Sequence, residues 1–256
     1  MLLAVDIGNT NIVFGVHDGI KWLHHWRVRT VRDKMSDEYG VLLRALMREA
    51  GLGMGAFDHV AIASVVPPLT GRLRALLAAE SPGVPLVIGH ETSAMLAFAV
   101  DNPAEVGADL IANAVAAYDR VHDACIVVDF GTATTFTAVS QEGVFRGVAI
   151  APGLNLAAGA LASGTAQLPQ VPLSAPPHAI GTNTVHAIQA GVVLGYVGLV
   201  EGMVVRFRDE MGAQAQVIAT GGLSSIVAPL TGCFSAVDPW LTLDGIRIIA
   251  EHTFTD

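Results

Sequence analysis

The chain has 256 residues, 52% of them hydrophobic and only 14% charged, with a formal net charge of −9. Soluble domains average roughly 25% charged residues, so this chain is poor in charge. The acidic excess excludes a non-specific nucleic-acid binder, which needs cations to neutralise phosphates.

Residues 2–5 are a short apolar run that predicts a strand, and it ends at Asp6-Ile7-Gly8-Asn9-Thr10. Residues 11–17, apolar and β-branched, predict a second strand. Asp18-Gly19 is a hairpin turn signal, and 21–30 a returning strand. Residues 37–50 have helical spacing, with Tyr39, Leu42, Leu43, Leu46 and Met47 on one side and Gly51 as the stop. Residues 59–66 predict a buried strand closed by Pro67-Pro68, followed by a helix over 69–79 and a short strand over 85–88. A helix over 104–120 opens the second half. A buried strand over 124–128 then ends at Asp129-Phe130-Gly131-Thr132-Ala133-Thr134-Thr135. Strands over 136–140 and 144–150 flank the Glu142-Gly143 turn. The remainder reads mostly as helix, except a strand over 216–219 that feeds Thr220-Gly221-Gly222.

Several classes fall away. Lys21 and Lys34 are the only lysines, and neither follows a Gly-x-x-x-x-Gly-Lys-[Ser/Thr] loop, which excludes a Walker P-loop. Cys125 and Cys233 are too few for a disulfide framework or a cysteine-built zinc site. His17, His24 and His25 sit in a strand and turn region without a metal-binding constellation and read as surface residues. Trp22, Trp26 and Trp240 read as core or interface residues, and Arg27, Arg29 and Arg32 as a solvated strand edge. Asp6 follows five residues into the chain, too soon for the apolar region of a signal peptide. Residues 187–205 are apolar but carry Gln189 and Glu201, which predicts a buried or interface helix rather than a membrane span. The expectation is a cytoplasmic protein with neither membrane nor nucleic-acid partner. From 147 to 200 there is no Asp, Glu, Lys or Arg. Such a stretch in a soluble protein is buried or covered by a partner, which predicts a homodimer built on its later, helical part.

One pattern occurs twice: apolar strand, Asp-x-Gly-x, polar turn, strand, glycine turn, strand, starting at Asp6 and at Asp129. This is a duplication on the scale of a domain. A carboxylate at the end of a buried strand is costly unless solvated, paired or bound to a cation. Gly8 lets a ligand approach the backbone, and Asn9, Thr10 and Asn11 add short polar donors. Together they suit a phosphate hairpin with a carboxylate for magnesium. A single copy could equally be a polar turn closed by Asx bonds. The second copy and the third glycine loop favour a polyphosphate site.

The arrangement resembles the superfamily of acetate and sugar kinases, heat-shock chaperones and actin, and most closely the type III pantothenate kinases. The resemblance runs through Asp6-Ile7-Gly8-Asn9-Thr10-Asn11, Asp37-Glu38-Tyr39, Ser64-Val65-Val66-Pro67, Asp101-Asn102-Pro103 and Glu105-Val106-Gly107-Ala108-Asp109. It continues through the Asp129 hairpin, Ala151-Pro152-Gly153, Leu168-Pro169, Ile180-Gly181, Asn183-Thr184 and Ala219-Thr220-Gly221-Gly222. It implies two duplicated ribonuclease-H-like, actin-like ATPase domains of α/β class, 1–118 and 119–256, with an interdomain cleft. It also implies ATP-dependent phosphorylation of pantothenate, the first step of coenzyme A synthesis.

By the same resemblance, Asp109 is the catalytic carboxylate that accepts the proton of the acceptor hydroxyl. Taken alone, Asp109 could cap the following helix. ATP would be bound by Asp6, Ile7, Gly8, Asn9, Thr10, Asn11, Ile12 and Val13, with Thr132, Gly221 and Gly222. Asp6 would manage Mg²⁺ through water, and Asp129 would hold a monovalent cation, K⁺ or NH₄⁺. Pantothenate would meet Val100, Gly107, Ala108, Asp109, Leu110 and Thr184, the last being otherwise a polar residue near a helix start. Three positions depart from the family pattern: Leu110 stands where Arg is common, Val100 where Tyr is common, and Thr137 where Asp often occurs. Arg can hold a carboxylate with two charge-assisted bonds and Leu cannot. A silent paralogue with a regulatory or binding role, or a kinase with another acceptor, is therefore the alternative.

Overall fold

The computed structural model describes residues 1–255 apart from Ala94 and Ala213, so Asp256, the last residue of the expected second domain, lies outside the described residues. In chain order come strands β1 (Leu2–Ile7), β2 (Asn11–His17) and β3 (Trp22–Arg29), helix α1 (Ser36–Glu49), β4 (His59–Ser64), helix α2 (Pro67–Glu80), β5 (Leu86–Val87), β6 (Ala97–Phe98) and helix α3 (Ala108–Val121). The second half holds β7 (Cys125–Phe130), β8 (Ala133–Val139), β9 (Val144–Pro152) and α4 (Leu154–Gly164). After it come α5 (Thr184–Gln189), a π turn (Ala190–Leu194), α6 (Gly195–Met211), β10 (Gln216–Thr220), α7 (Ser224–Val227), β11 (Ala236–Val237) and α8 (Leu241–Thr255).

The duplication is explicit in the sheets. One has the order β3-β2-β1-β4-β5 and the other β11-β10-β7-β8-β9-β6. In the first, β1, β2 and β3 run antiparallel, and β4 and β5 follow parallel on the other side of β1. In the second, β7, β8 and β9 run antiparallel, with β10 and β11 parallel on the other side of β7. β1 and β7 are near-continuous apolar runs, as strands covered on both faces must be. Each is six residues long, and in each only the penultimate residue, Asp6 or Asp129, is incompletely buried. This is the α/β, duplicated, actin-like architecture the resemblance implies.

Local chemistry explains where boundaries differ from expectation. α2 begins at Pro67 rather than after the prolines, because proline is preorganised for the first helical turn. α3 begins at Ala108 rather than 104. Asn102 caps a separate 3₁₀ turn at Pro103–Glu105, accepting the Ala104 N–H at 3.3 Å. β8 starts at Ala133, before residue 136, because Thr134 and Thr135 pair with Phe130 and Asp129. The two-residue strands β6 and β11 carry no periodic pattern of their own.

The chain forms two units, and they are not the continuous segments 1–118 and 119–256 expected from the sequence. The first comprises Met1–Leu96, Asp101–Ala116 and Leu241–Asp256, and the second Ala97–Val100 and Ala117–Trp240. The physical reason is α8. It buries Leu241, Leu243, Ile246, Ile249 and Ala250 and packs on β1 and β4 of the first sheet. Trp22 Nε1 adds a bond to Asp244 Oδ1 at 2.8 Å.

In the first unit, Leu3, Val5, Ile7 and Phe14 of the sheet meet Tyr39, Leu43 and Met47 of α1 and Leu69, Leu73 and Leu77 of α2. In the second, Ile126, Val128 and Phe136 meet Val192, Tyr196, Val197, Val200 and Val204. The latter side chains lie on one continuous helix, Thr184–Met211, which has the length and composition to cross a membrane. Part of its apolar surface is buried in this core, while Val185, Leu199 and Val205 stay exposed. Its buried Gln189 donates to the Pro172 carbonyl at 3.0 Å and to Ser174 Oγ at 2.9 Å.

Candidate active site

The first hairpin closes on itself. Gly8 N–H donates to the Asn11 carbonyl at 3.0 Å, and Asn9 and Thr10 stand exposed at the tip. Asp6 lies one residue before the end of β1, with Val13 and Ala63 as its register partners. Ile12 and Val13 are buried in β2, which confines any ligand contact there to backbone.

The second hairpin is closed by glycines from elsewhere. Gly153 N–H donates to the Thr132 carbonyl at 3.2 Å, and a Cβ on Gly153 would lie 2.2 Å from that oxygen. Gly221 leaves β10 at φ +86°, and a Cβ there would lie 2.4 Å from Asp129 Oδ1. Leu223 N–H reaches the Phe130 carbonyl at 3.4 Å. The third glycine loop is thus folded against the second hairpin, and Gly131 and Thr132 remain exposed at its tip.

Asp129 and Thr135 are register partners, so their side chains share a face of the sheet. The Thr135 hydroxyl is buried with no hydrogen-bond partner. Leaving a buried hydroxyl unmet costs about 1–3 kcal/mol. An orphan oxygen beside a carboxylate is a hard-oxygen donor set of the kind a monovalent cation takes. Among the described residues no three His, Cys, Asp or Glu side chains cluster for a metal ion.

Asp109 sits in the first turn of α3, inside the helix rather than at its N-cap. Burial pushes its carboxyl pKa up, against the pull of backbone N–H groups, including that of Leu110 at 2.8 Å from Oδ1. Gly107 leaves room for this carboxylate: a Cβ there would lie 2.7 Å from Asp109 Oδ1 and 3.4 Å from Val65 Cγ1. Val65 N–H in turn donates to the Ile7 carbonyl at 3.1 Å. The end of β1, the Ser64-Val65-Val66 loop and the start of α3 therefore converge at one edge of the first unit.

Of the other acceptor-side positions, Gly107, Ala108 and Leu110 flank Asp109 in the first unit, and Val100 and Thr184 belong to the second. Val100 is half-buried just after β6, while Ala108 and Leu110 are buried. Thr184 is exposed at the start of α5, where Asn183 Oδ1 caps the helix by accepting the His186 N–H at 2.9 Å. Thr184 lines a surface pocket of about 610 Å³ with Leu161, Leu168, Gly181, Thr182, Asn183, Ala187, Ile188 and Gly191.

The family profile described as type III pantothenate kinase matches residues 2–206. The type III pantothenate kinase of Moorella thermoacetica is 48% identical over 252 residues, covering 98% of this chain and 99% of that protein. That of Roseiflexus castenholzii is 49% identical over 251 residues, covering 98% of each. The chain belongs to the type III pantothenate kinase family. The fold agrees: MreB 5 of Spiroplasma citri, solved with AMPPNP, superposes with a TM-score of 0.60 at 9% identity, over 99% of this chain and 97% of that one.

One alternative reading falls away and one expectation needs correction. Asp109 is not the N-cap that its position before an alanine-rich run allowed. The histidines of β2 and β3 are not surface residues: His17 is 6% exposed, His25 is half-buried, and burial pushes both pKa values down. His17 Nδ1 accepts the Gly19 N–H at 3.2 Å, and Trp22 packs between the His17 and His25 rings. Cys125 is also structural, because burial pushes its thiol up to about 12 and leaves it unreactive. Two residues named only within longer motifs gain a role from the structure. Gly153 supports Thr132, and the Thr135 hydroxyl faces the Asp129 side of the sheet. The pairing of β7 with β8 reveals Thr135, and that of β8 with β9 reveals Gly153.

Proposed function

We propose that the protein transfers the γ-phosphoryl group of ATP to pantothenate, giving 4′-phosphopantothenate and ADP, the first step of coenzyme A synthesis. The observation that carries this is Asp109, a carboxylate held at raised pKa beside the end of β1. Phosphoryl transfer needs little covalent help, so a base that orients and deprotonates the acceptor hydroxyl is a sufficient role. The hydroxyl oxygen bonds to the γ-phosphorus as the bond to the β–γ bridging oxygen breaks, and Asp109 takes the proton. Desolvation makes Asp109 a stronger base than an ordinary carboxylate.

Asp6, Gly8, Asn9, Thr10 and Asn11 offer backbone and side-chain donors to phosphate, as does Thr132. Half-buried Gly221 and exposed Gly222 are loop backbone suited to the nucleoside. Bound Mg²⁺ would neutralise charge on the transferring phosphoryl group, with Asp6 holding its waters. Asp129 and Thr135 would hold the K⁺ or NH₄⁺ ion. Gly107 and Ala108 place backbone next to the base, and Val100, Leu110 and Thr184 would complete acceptor recognition.

The apolar residues left exposed on the second unit support a homodimer. Ile150 (68% exposed) and Leu156 (54%), in the uncharged stretch, and Val205 (55%), just after it on α6, are apolar side chains that a second copy would cover. A cytoplasmic location fits this metabolism.

The test is ADP release with ATP, pantothenate, Mg²⁺ and K⁺. Asp109→Asn should lower kcat by about 10²–10⁴ with little change in ATP affinity. Wild-type protein that binds ATP but turns nothing over would favour the silent paralogue, whose specific support is Leu110: only 8% exposed, it cannot grip a carboxylate.

A further inference from the structure

The motif Asp37-Glu38-Tyr39 matches the family yet lies outside the hairpins and the Asp109 region. Its first task is local: Glu38 Oε2 accepts the Met35 N–H at 2.9 Å and starts α1. Tyr39 does something else. It is 1% exposed, and its hydroxyl accepts the Val31 N–H at 2.9 Å and donates to the Val31 carbonyl at 3.1 Å. Arg72 of α2 adds bonds to the carbonyls of Arg32 (3.3 Å) and Lys34 (3.2 Å). The segment after β3 is thus anchored to the core of the first unit.

That anchored segment touches each residue of the first hairpin's turn. Thr30 Oγ1 donates to the Gly8 carbonyl at 2.7 Å. Thr30 N–H donates to the Thr10 carbonyl at 2.9 Å. Arg32 Nη2 donates to Asn9 Oδ1 at 2.8 Å. In a planar trans peptide the C=O and the next N–H point in opposite directions. Tying the Gly8 and Thr10 carbonyls to Thr30 therefore aims the Asn9 and Asn11 N–H groups the other way. Guanidinium can only donate, so the Asn9 amide must present its oxygen to Arg32 and turn its NH₂ outward.

We propose that Thr30 is a positioning residue for nucleotide binding. Its hydroxyl and N–H, assisted by Arg32 and anchored through Tyr39, hold the Gly8-Asn9-Thr10 turn so that its donors face the polyphosphate. The inference rests on the reading that the hairpin of residues 6–11 receives ATP phosphates. Preorganised donors need no reordering when the ligand arrives.

The experiment uses the full chain, with steady-state kinetics and equilibrium binding of a non-hydrolysable ATP analogue. Thr30→Val keeps the β-branched shape and removes the hydroxyl, and should weaken analogue binding and raise KM for ATP about tenfold. KM for pantothenate should stay within about twofold, and Thr30→Ser should restore ATP binding, because it returns the one lost donor. Tyr39→Phe and Arg32→Ala should show the same ATP-selective loss at smaller size, and they carry the test should Thr30→Val fail to fold. Equal losses for ATP and pantothenate, or Thr30→Ser as weak as Thr30→Val, would overturn the proposal. Asp6→Asn separates the two levels. If it weakens ATP while Thr30→Val does not, only the positioning role fails. If Asp6→Asn leaves ATP binding unchanged, the hairpin reading fails and takes the proposal with it.

Discussion

The two hairpins share one strand plan but are held in shape by different means. In the first, Gly8 bonds to Asn11 within the turn, and side chains from residues 30–32 support it. In the second, Gly153 presses against the backbone of Thr132 and Gly131, and Gly221 against the backbone of Phe130 and the Asp129 carboxylate, with no space for a single carbon. Side-chain support can relax by a rotamer change, whereas backbone contact cannot. The copies have thus diverged in tolerance while keeping their topology.

The largest expected contrast breaks or confirms this difference directly. Gly221→Ala combines a left-handed φ of +86° with a Cβ 2.4 Å from Asp129 Oδ1 and 2.7 Å from Phe130 backbone. It should cost about 3 kcal/mol or more, or prevent folding of the second unit. Gly8→Ala would place its Cβ 3.1 Å from the Asn11 carbonyl, without a left-handed φ. It should cost about 1 kcal/mol, with loss concentrated in ATP binding. Chemical denaturation of both variants decides, and equal costs would end the distinction.

One polar group in an unfavourable place from each unit sharpens the comparison at smaller scale. In the first unit it is Asp109, whose pKa burial raises. A carboxyl pKa higher in the folded than in the unfolded chain destabilises the fold above the folded pKa, and the penalty disappears below the unfolded pKa of about 3.9. Asp109→Asn should therefore melt higher than wild type at neutral pH, by about 0.5–2 kcal/mol of stability, while losing activity. That advantage should shrink as the pH falls through the carboxylate range, which thermal melts across pH will record. A constant or negative difference would show that Asp109 serves the fold rather than the chemistry.

In the second unit it is Thr135, with its orphan hydroxyl. Thr135→Val removes that oxygen without changing shape and should be neutral or stabilising by about 1 kcal/mol in the absence of potassium. It should also flatten the dependence of turnover on K⁺. An unchanged potassium titration would remove Thr135 from the cation site.

Much of this molecule was legible from residue order alone, because its most informative features are local. β1 and β7 announce themselves as uninterrupted apolar runs ending in Asp, and the repeated Asp-x-Gly pattern marks the duplication. The motif series carries the family. Less visible were interactions between residues distant in the chain. Nothing around residue 245 indicates that the last helix joins the first sheet, since any amphipathic helix can cover any apolar face. His17 and His25 look like surface residues until Trp22 packs against both rings and Glu251 of α8 comes to 4.0 Å from His17.

What the sequence by itself determined is the strand plan, the two Asp-bearing hairpins and the family, because strand periodicity and turn chemistry act over a few neighbours. What only the tertiary structure decided is how each hairpin is held: Thr30 and Tyr39 for one, Gly153 and Gly221 for the other, with Thr135 left unmet beside Asp129. These depend on strand register and on which backbone atoms approach within 3 Å, and packing the whole unit sets both.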